Sequence, residues 1–145
     1  MDTIEKYDRL RFIYIKMFAI SFMIWYGLFT YTFNFKIDNK FFKIGIIAIE
    51  LSASIIWALY LFKINGLSKK IRKDERLRNA LDNEFYKHIA LKSMRVSLIS
   101  FIISIGIFIG ILSFMKIPAI LVCQILLLIG ISSFFISFLL YISKS

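Results

Sequence analysis

The chain has 145 residues, 59% of them hydrophobic and 19% charged, with a mean hydropathy of +0.77. A globule of this size cannot bury so much apolar surface, so a water-soluble fold is excluded and lipid is the expected solvent. The net charge of +10 would otherwise suggest nucleic acid, but in a membrane chain the distribution of charge matters more than its total.

A hydrocarbon core about 30 Å thick needs about 20 apolar helical residues rising about 1.5 Å each. Four windows meet or approach that length, at about 12–33, 44–62, 96–115 and 117–142. The first is longer than a signal-peptide core and no A-x-A-like site closes it, so it is expected to stay attached as a signal anchor. In the loop that follows, Asp38 or Asn39 can cap the second helix by accepting from its unpaired N–H groups. Beyond the second span, Asn65-Gly66 supplies the left-handed stop expected at a helix C-terminus, and Ser68 is placed to cap a new helix.

Within the connection 63–95, Leu77, Leu81, Phe85 and Ile89 recur every four residues while Arg76, Asn79, Asn83 and Lys87 take other faces, the pattern of an amphipathic helix. Asp74 with Arg78, Arg78 with Asp82, and Glu84 with Lys87 or His88 stand at ion-pair spacing. Because no Gly or Pro falls between Leu67 and Ser104, this helix is expected to run unbroken into the third span. Met115-Lys116-Ile117-Pro118 makes a tight turn, with Pro118 in the first turn of the last helix. The fold class is therefore all-α: one polytopic domain of four transmembrane helices in two antiparallel hairpins, with an amphipathic helix between spans two and three.

Of the 19 Lys and Arg, four precede or enter the first span, ten lie in 63–95 and Lys144 follows the last span, against Lys36, Lys40, Lys43 and Lys116 on the other side. The positive-inside rule then places both termini and the connection in the cytoplasm, and the protein in the cytoplasmic membrane.

Glu50 is the one acidic residue inside an expected span, where a charge costs several kcal/mol unless paired, hydrated or protonated. Counting along the helices, it lies about 9 Å inside the outer boundary, in the same layer as Gln124, Tyr26 and Thr30. A bond between Glu50 and Gln124 is the structural expectation, and proton exchange at Glu50 the functional one. Glu50→Gln separates them, since it keeps a hydrogen bond and abolishes the exchange.

Small residues mark close helix approach: Ser97, Ser100 and Ser104, with Ser93, share one face of the third span, and Gly106 and Gly110 form G-x-x-x-G on another. Gly130, Ser133 and Ser137 supply a similar strip on the last span. Two faces suit two neighbours, which keeps both a homodimer and ordinary packing within one chain open. The basic run Lys69, Lys70, Arg72, Lys73, Arg76, Arg78 is suited to anionic headgroups, at about 1 kcal/mol per basic residue, or to a protein partner.

One histidine and one cysteine, His88 and Cys123, leave no intrachain disulfide and no metal-ligand set. No nucleophile elbow, zinc-protease, phosphate-loop or dinucleotide motif occurs, so no enzyme and no cofactor are expected. Nucleic acid is disfavoured because no aromatics interleave the basic run.

Lys73-Asp74-Glu75-Arg76, followed by Asn83-Glu84 and Lys92-Ser93, resembles the Asp-Glu-Arg motif that small uncharacterised prokaryotic four-helix membrane proteins carry between their second and third spans. Some of their genes are thought to neighbour helix-turn-helix regulators, so the resemblance implies a regulatory or accessory role. The expected function is thus a non-enzymatic regulatory or accessory membrane protein that uses its cytoplasmic helix, Leu77, Leu81, Phe85 and Ile89 with the basic residues, to engage a partner or anionic lipid. Two alternatives stay open: a small dimeric proton- or cation-coupled transporter or channel centred on Glu50, and a self-protection protein against a membrane-active peptide.

Overall fold

In hydrocarbon, a backbone must satisfy its own N–H and C=O groups, and an apolar run without an internal proline does so as a helix. The computed structural model describes residues 3–81 and 84–143, with the side chains of 79–81 and 84–85 outside the description. The described residues are all-helical, without strands: α1 Thr3–Asn34, α2 Lys40–Lys73, α3 Glu75–Leu81, α4 Glu84–Leu112 and α5 Ala119–Ser143. Among them, all but α3 are long and apolar enough to cross a membrane, which marks the chain as a multi-pass membrane protein.

The ends of these helices follow local chemistry in two places. Asn39 caps α2, its side chain accepting from Phe41 N and Phe42 N. Pro118 precedes α5, where a missing N–H costs nothing, and its carbonyl accepts from Val122 N at 3.2 Å.

The expected stop at Asn65-Gly66 is absent. Gly66 lies within α2, and among the described residues no glycine has a positive φ. Continuing the helix keeps Leu67 and Ile71 on one face, four residues apart, where both are buried with Leu77 against Tyr7, Leu10 and Tyr14 of α1. That burial outweighs the small helical penalty of one glycine, about 1 kcal/mol. The chain breaks instead at Asp74, which is extended at φ −100° and ψ 113° and ends α2. Its Oδ1 accepts from Arg76 N at 3.0 Å and Leu77 N at 3.3 Å, opening α3. The helix expected to run unbroken from Leu67 into the third span is therefore interrupted. Asp74 is consumed as a cap, so Arg78 meets Glu75 at 3.7 Å rather than Asp74. Asp82 and Asn83 lie outside the described residues, as do the side chains of Leu81, Glu84 and Phe85.

Packing places α1 at the centre. It contacts α2 along its length, from Thr32 beside Glu50 at one end, through Trp25 stacked on Trp57, to Tyr14 beside Tyr60 at the other. On its other side α1 meets α5, with Phe18 edge-on to Phe135 at 5.6 Å. Helix α5 in turn packs on α4, where Ser97 Oγ donates to Gly130 O at 2.6 Å. A Cβ on Gly130 would stand 3.3 Å from the Phe101 ring, so the absent side chain is what admits α4 this closely. Among the described residues α2 and α4 do not pack together, and the long helices line up in the order α2, α1, α5, α4.

A belt of aromatic and basic side chains marks the end of the molecule that carries α3. Lys63 Nζ lies 5.0 Å from the Tyr60 ring and 5.7 Å from Tyr14, and Lys92 Nζ lies 4.5 Å from Tyr141. Such residues rest where apolar and polar layers meet. From Lys63 back to Lys43 along α2 is about 30 Å at the helical rise, the thickness of a bilayer core. Between these levels the outward faces of α2 and α4 are apolar, including Ile55 and Leu59 on one and Ile102 and Ile107 on the other.

Candidate functional site

Near the end opposite α3, polar residues of α1 reach those of α2 and α5. Residues two apart on a helix point to widely separated faces, so Thr32 reaches α2 while Asn34 reaches α5. Thr32 Oγ1 donates toward Glu50 Oε2 at 3.3 Å, and Glu50 is half-buried. Asn34 Nδ2 donates to Gln124 Oε1 at 2.5 Å and to Thr30 O at 2.8 Å. Thr30 is buried, and its Oγ1 donates to Tyr26 O at 2.9 Å. The Tyr26 ring itself stacks on Phe22 at 5.7 Å.

Of the four expected intramembrane residues, Gln124 is joined through Asn34 to the main chain of Thr30, and Tyr26 enters only by its main-chain carbonyl. Glu50 is not part of this set. The expected contact between Glu50 and Gln124 is replaced by separate contacts to α1, because α1 stands between the helices that carry them. Thr32 and Asn34 are the residues that reading the sequence missed, and only their placement two apart at the end of an apolar run hinted at them. Both line a cavity of about 510 Å³ that includes Lys36, Asp38 and Lys43.

Thr32 has one hydroxyl proton and two acceptors in reach, Phe29 O at 3.1 Å and Glu50 Oε2 at 3.3 Å. Its single proton is shared between these two acceptors, which ties the end of α1 to α2.

The small-residue faces divide. Ser97 and Gly130 form the contact between α4 and α5, and Ser137 is buried. Ser104 Oγ donates to Ser100 O, Ser93 Oγ to Ile89 O and Ser133 Oγ to Ile129 O, each within its own helix. A Cβ on Gly106 or Gly110 would have no atom within 4 Å, so the G-x-x-x-G face has no neighbour among the described residues.

At the α3 end the basic side chains are presented outward. Lys69, Lys70, Arg72, Lys73, Arg76 and Arg78 are all exposed, whereas Leu77 and Ile89 are 6% and 5% exposed. The apolar stripe expected to face a partner is therefore spent inside the protomer at Leu77 and Ile89; Leu81 and Phe85 have side chains outside the description. The start of α4 is tied back to α1, with Tyr86 Oη donating to Asp8 Oδ1 and the Arg11 guanidinium 4.3 Å from the Tyr86 ring centre. Among the described residues no group of three or more His, Cys, Asp or Glu is placed to hold a metal, and Cys123 is a free thiol on the exposed side of α5.

No protein-family model, curated protein or solved structure matches this chain.

Proposed function

We propose that this protein is a non-enzymatic component of the cytoplasmic membrane with a regulatory or accessory role, whose cationic connection between spans two and three engages anionic headgroups or a protein partner. In this reading the spans form two antiparallel hairpins, with both termini and the connection on the cytoplasmic side. The supporting observation is a basic surface held on a packed base: six exposed cationic side chains, Lys69, Lys70, Arg72, Lys73, Arg76 and Arg78, surround the buried Leu67, Ile71 and Leu77. With Leu77 and Ile89 buried, the contact is made through charge. The resemblance of Lys73-Asp74-Glu75-Arg76 to the motif of small prokaryotic four-helix proteins points to the same role.

Neutralising Lys69, Lys70, Arg72 and Lys73 to Gln should release co-purifying anionic lipid or protein from the full-length protein in mild detergent. Insertion should persist, checked by impermeant labelling of cysteines introduced at Asn39 and Asn79. Labelling at Asn79 in intact cells, or unchanged co-purification, would count against the proposal.

A second reading, a small proton- or cation-coupled transporter or channel centred on Glu50, draws on the Thr32 geometry. A half-buried carboxyl inside an apolar span, in hydrogen-bond reach of a threonine that lines a cavity near the end of the spans, has the chemistry of a proton site. Reconstituted protein should then show pH-dependent flux that Glu50→Gln abolishes. Equal flux in the two proteins, or none in either, removes this reading.

A further inference from the structure

We infer that the end of the molecule carrying α3 contains a binding site for the phosphate of a lipid headgroup, a built pocket in addition to a diffusely charged surface. The inference rests on the reading that the basic connection meets anionic headgroups, and it names the atoms that would do so.

A partly open cavity of about 300 Å³ lies between α1, α2 and α3, and each contributes an arginine: Arg11, Arg72 and Arg78. Ser68 adds a hydroxyl, and among the described residues no acidic side chain lines it. The lysines of the same basic run, Lys69, Lys70 and Lys73, do not line it. Guanidinium groups, unlike ammonium groups, present paired N–H donors that match two phosphate oxygens at once. Three of them brought to one cavity from three helices make a site whose donors suit an anion.

Two of the arginines already have contacts, and these help to orient them. Arg11 lies over the Tyr86 ring, which holds the plane of its guanidinium. Arg78 is 3.7 Å from Glu75, an exposed pair that a phosphate can outcompete because such pairs contribute little.

The remaining wall explains why the phosphate would be a lipid's. Ile15 and Ile64 line the cavity, each one residue along its helix from Tyr14 or Lys63, the pair that marks the level where apolar and polar layers meet. A headgroup seated among the arginines would therefore leave its glycerol and acyl chains against an aliphatic wall at the level where lipid chains begin.

The test uses the full-length protein in a neutral detergent, where no anionic surface exists to attract it diffusely. Phosphatidylglycerol is added at a fixed ratio and its retention is read by native mass spectrometry. The paired change Arg72→Gln with Arg78→Gln should lower retention about tenfold. Lys69→Gln with Lys70→Gln, which removes the same charge from the surface outside the cavity, should lower it by no more than about threefold, well short of the arginine pair. Arg72→Lys with Arg78→Lys, which keeps the charge and guards against misfolding as the cause, should still lose several-fold because the paired donors are gone.

Equal losses in the Arg and Lys pairs would overturn the pocket and leave the charged-surface reading standing. No loss in any variant would overturn both. Displacement of the lipid by an equal concentration of glycerol phosphate or inorganic phosphate would overturn the lipid as the source, and retention in their presence supports it.

Discussion

Replacing Trp57 by Ala should destabilise the protein by about 3 kcal/mol, read as a lowered unfolding midpoint in mixed micelles. Its indole is the hub between α2 and α1, with ring centres 5.5 Å from Trp25, 5.9 Å from Phe18 and 6.2 Å from Phe22. In lipid there is little hydrophobic drive to hold helices together, so packing of this kind carries the association. Among the described residues α2 packs only on α1 and α3, so no other long helix compensates for the loss. Trp57→Phe should behave differently. The indole Nε1–H is buried without a hydrogen-bond partner among the described residues, and removing an orphaned donor relieves about 1–3 kcal/mol. The phenyl variant should therefore be close to neutral. A loss as large as that of the alanine variant would mean that the N–H has a partner in the membrane.

The second large effect is expected at Leu77→Asp. A helix as short as α3, residues Glu75–Leu81, does not hold itself in water. It stays in place because the Asp74 cap starts it and Leu77 buries against Leu67 and Ile71. Aspartate at that position loses the apolar burial and adds an unpaired charge, together about 3 kcal/mol or more. Hydrogen exchange over residues 75–81 should then accelerate about 100-fold, with the spans unchanged. Arg78 would leave the cavity it shares with Arg11 and Arg72, so phosphatidylglycerol retention should fall with it. Unaltered protection at 75–81 would show that the cap alone suffices.

These outcomes depend on contacts that differ in how far they could be read from the sequence. The four spans were legible because the length and apolarity needed to cross a bilayer are local properties. Asn39 and Pro118 were legible because each acts on backbone groups within a few residues. Gly66 was misread because its local preference for ending a helix competes with a distant gain, the burial of Leu67 and Ile71 against α1. The polar layer was half legible. Counting residues along a helix gives the depth of Glu50, Gln124, Tyr26 and Thr30, but not which helix stands beside which.

From the amino-acid order alone came the solvent of this protein, the number of its apolar spans and the levels at which polar residues sit, all set by composition and by helical rise. The tertiary structure alone decided the lateral order α2, α1, α5, α4. It thereby separated Glu50 from Gln124 and brought Arg11, Arg72 and Arg78 to one cavity. The physical reason is that depth depends on position along one chain segment, whereas neighbourhood depends on how side chains such as Trp57, Gly130 and Leu77 fit against helices far away in sequence.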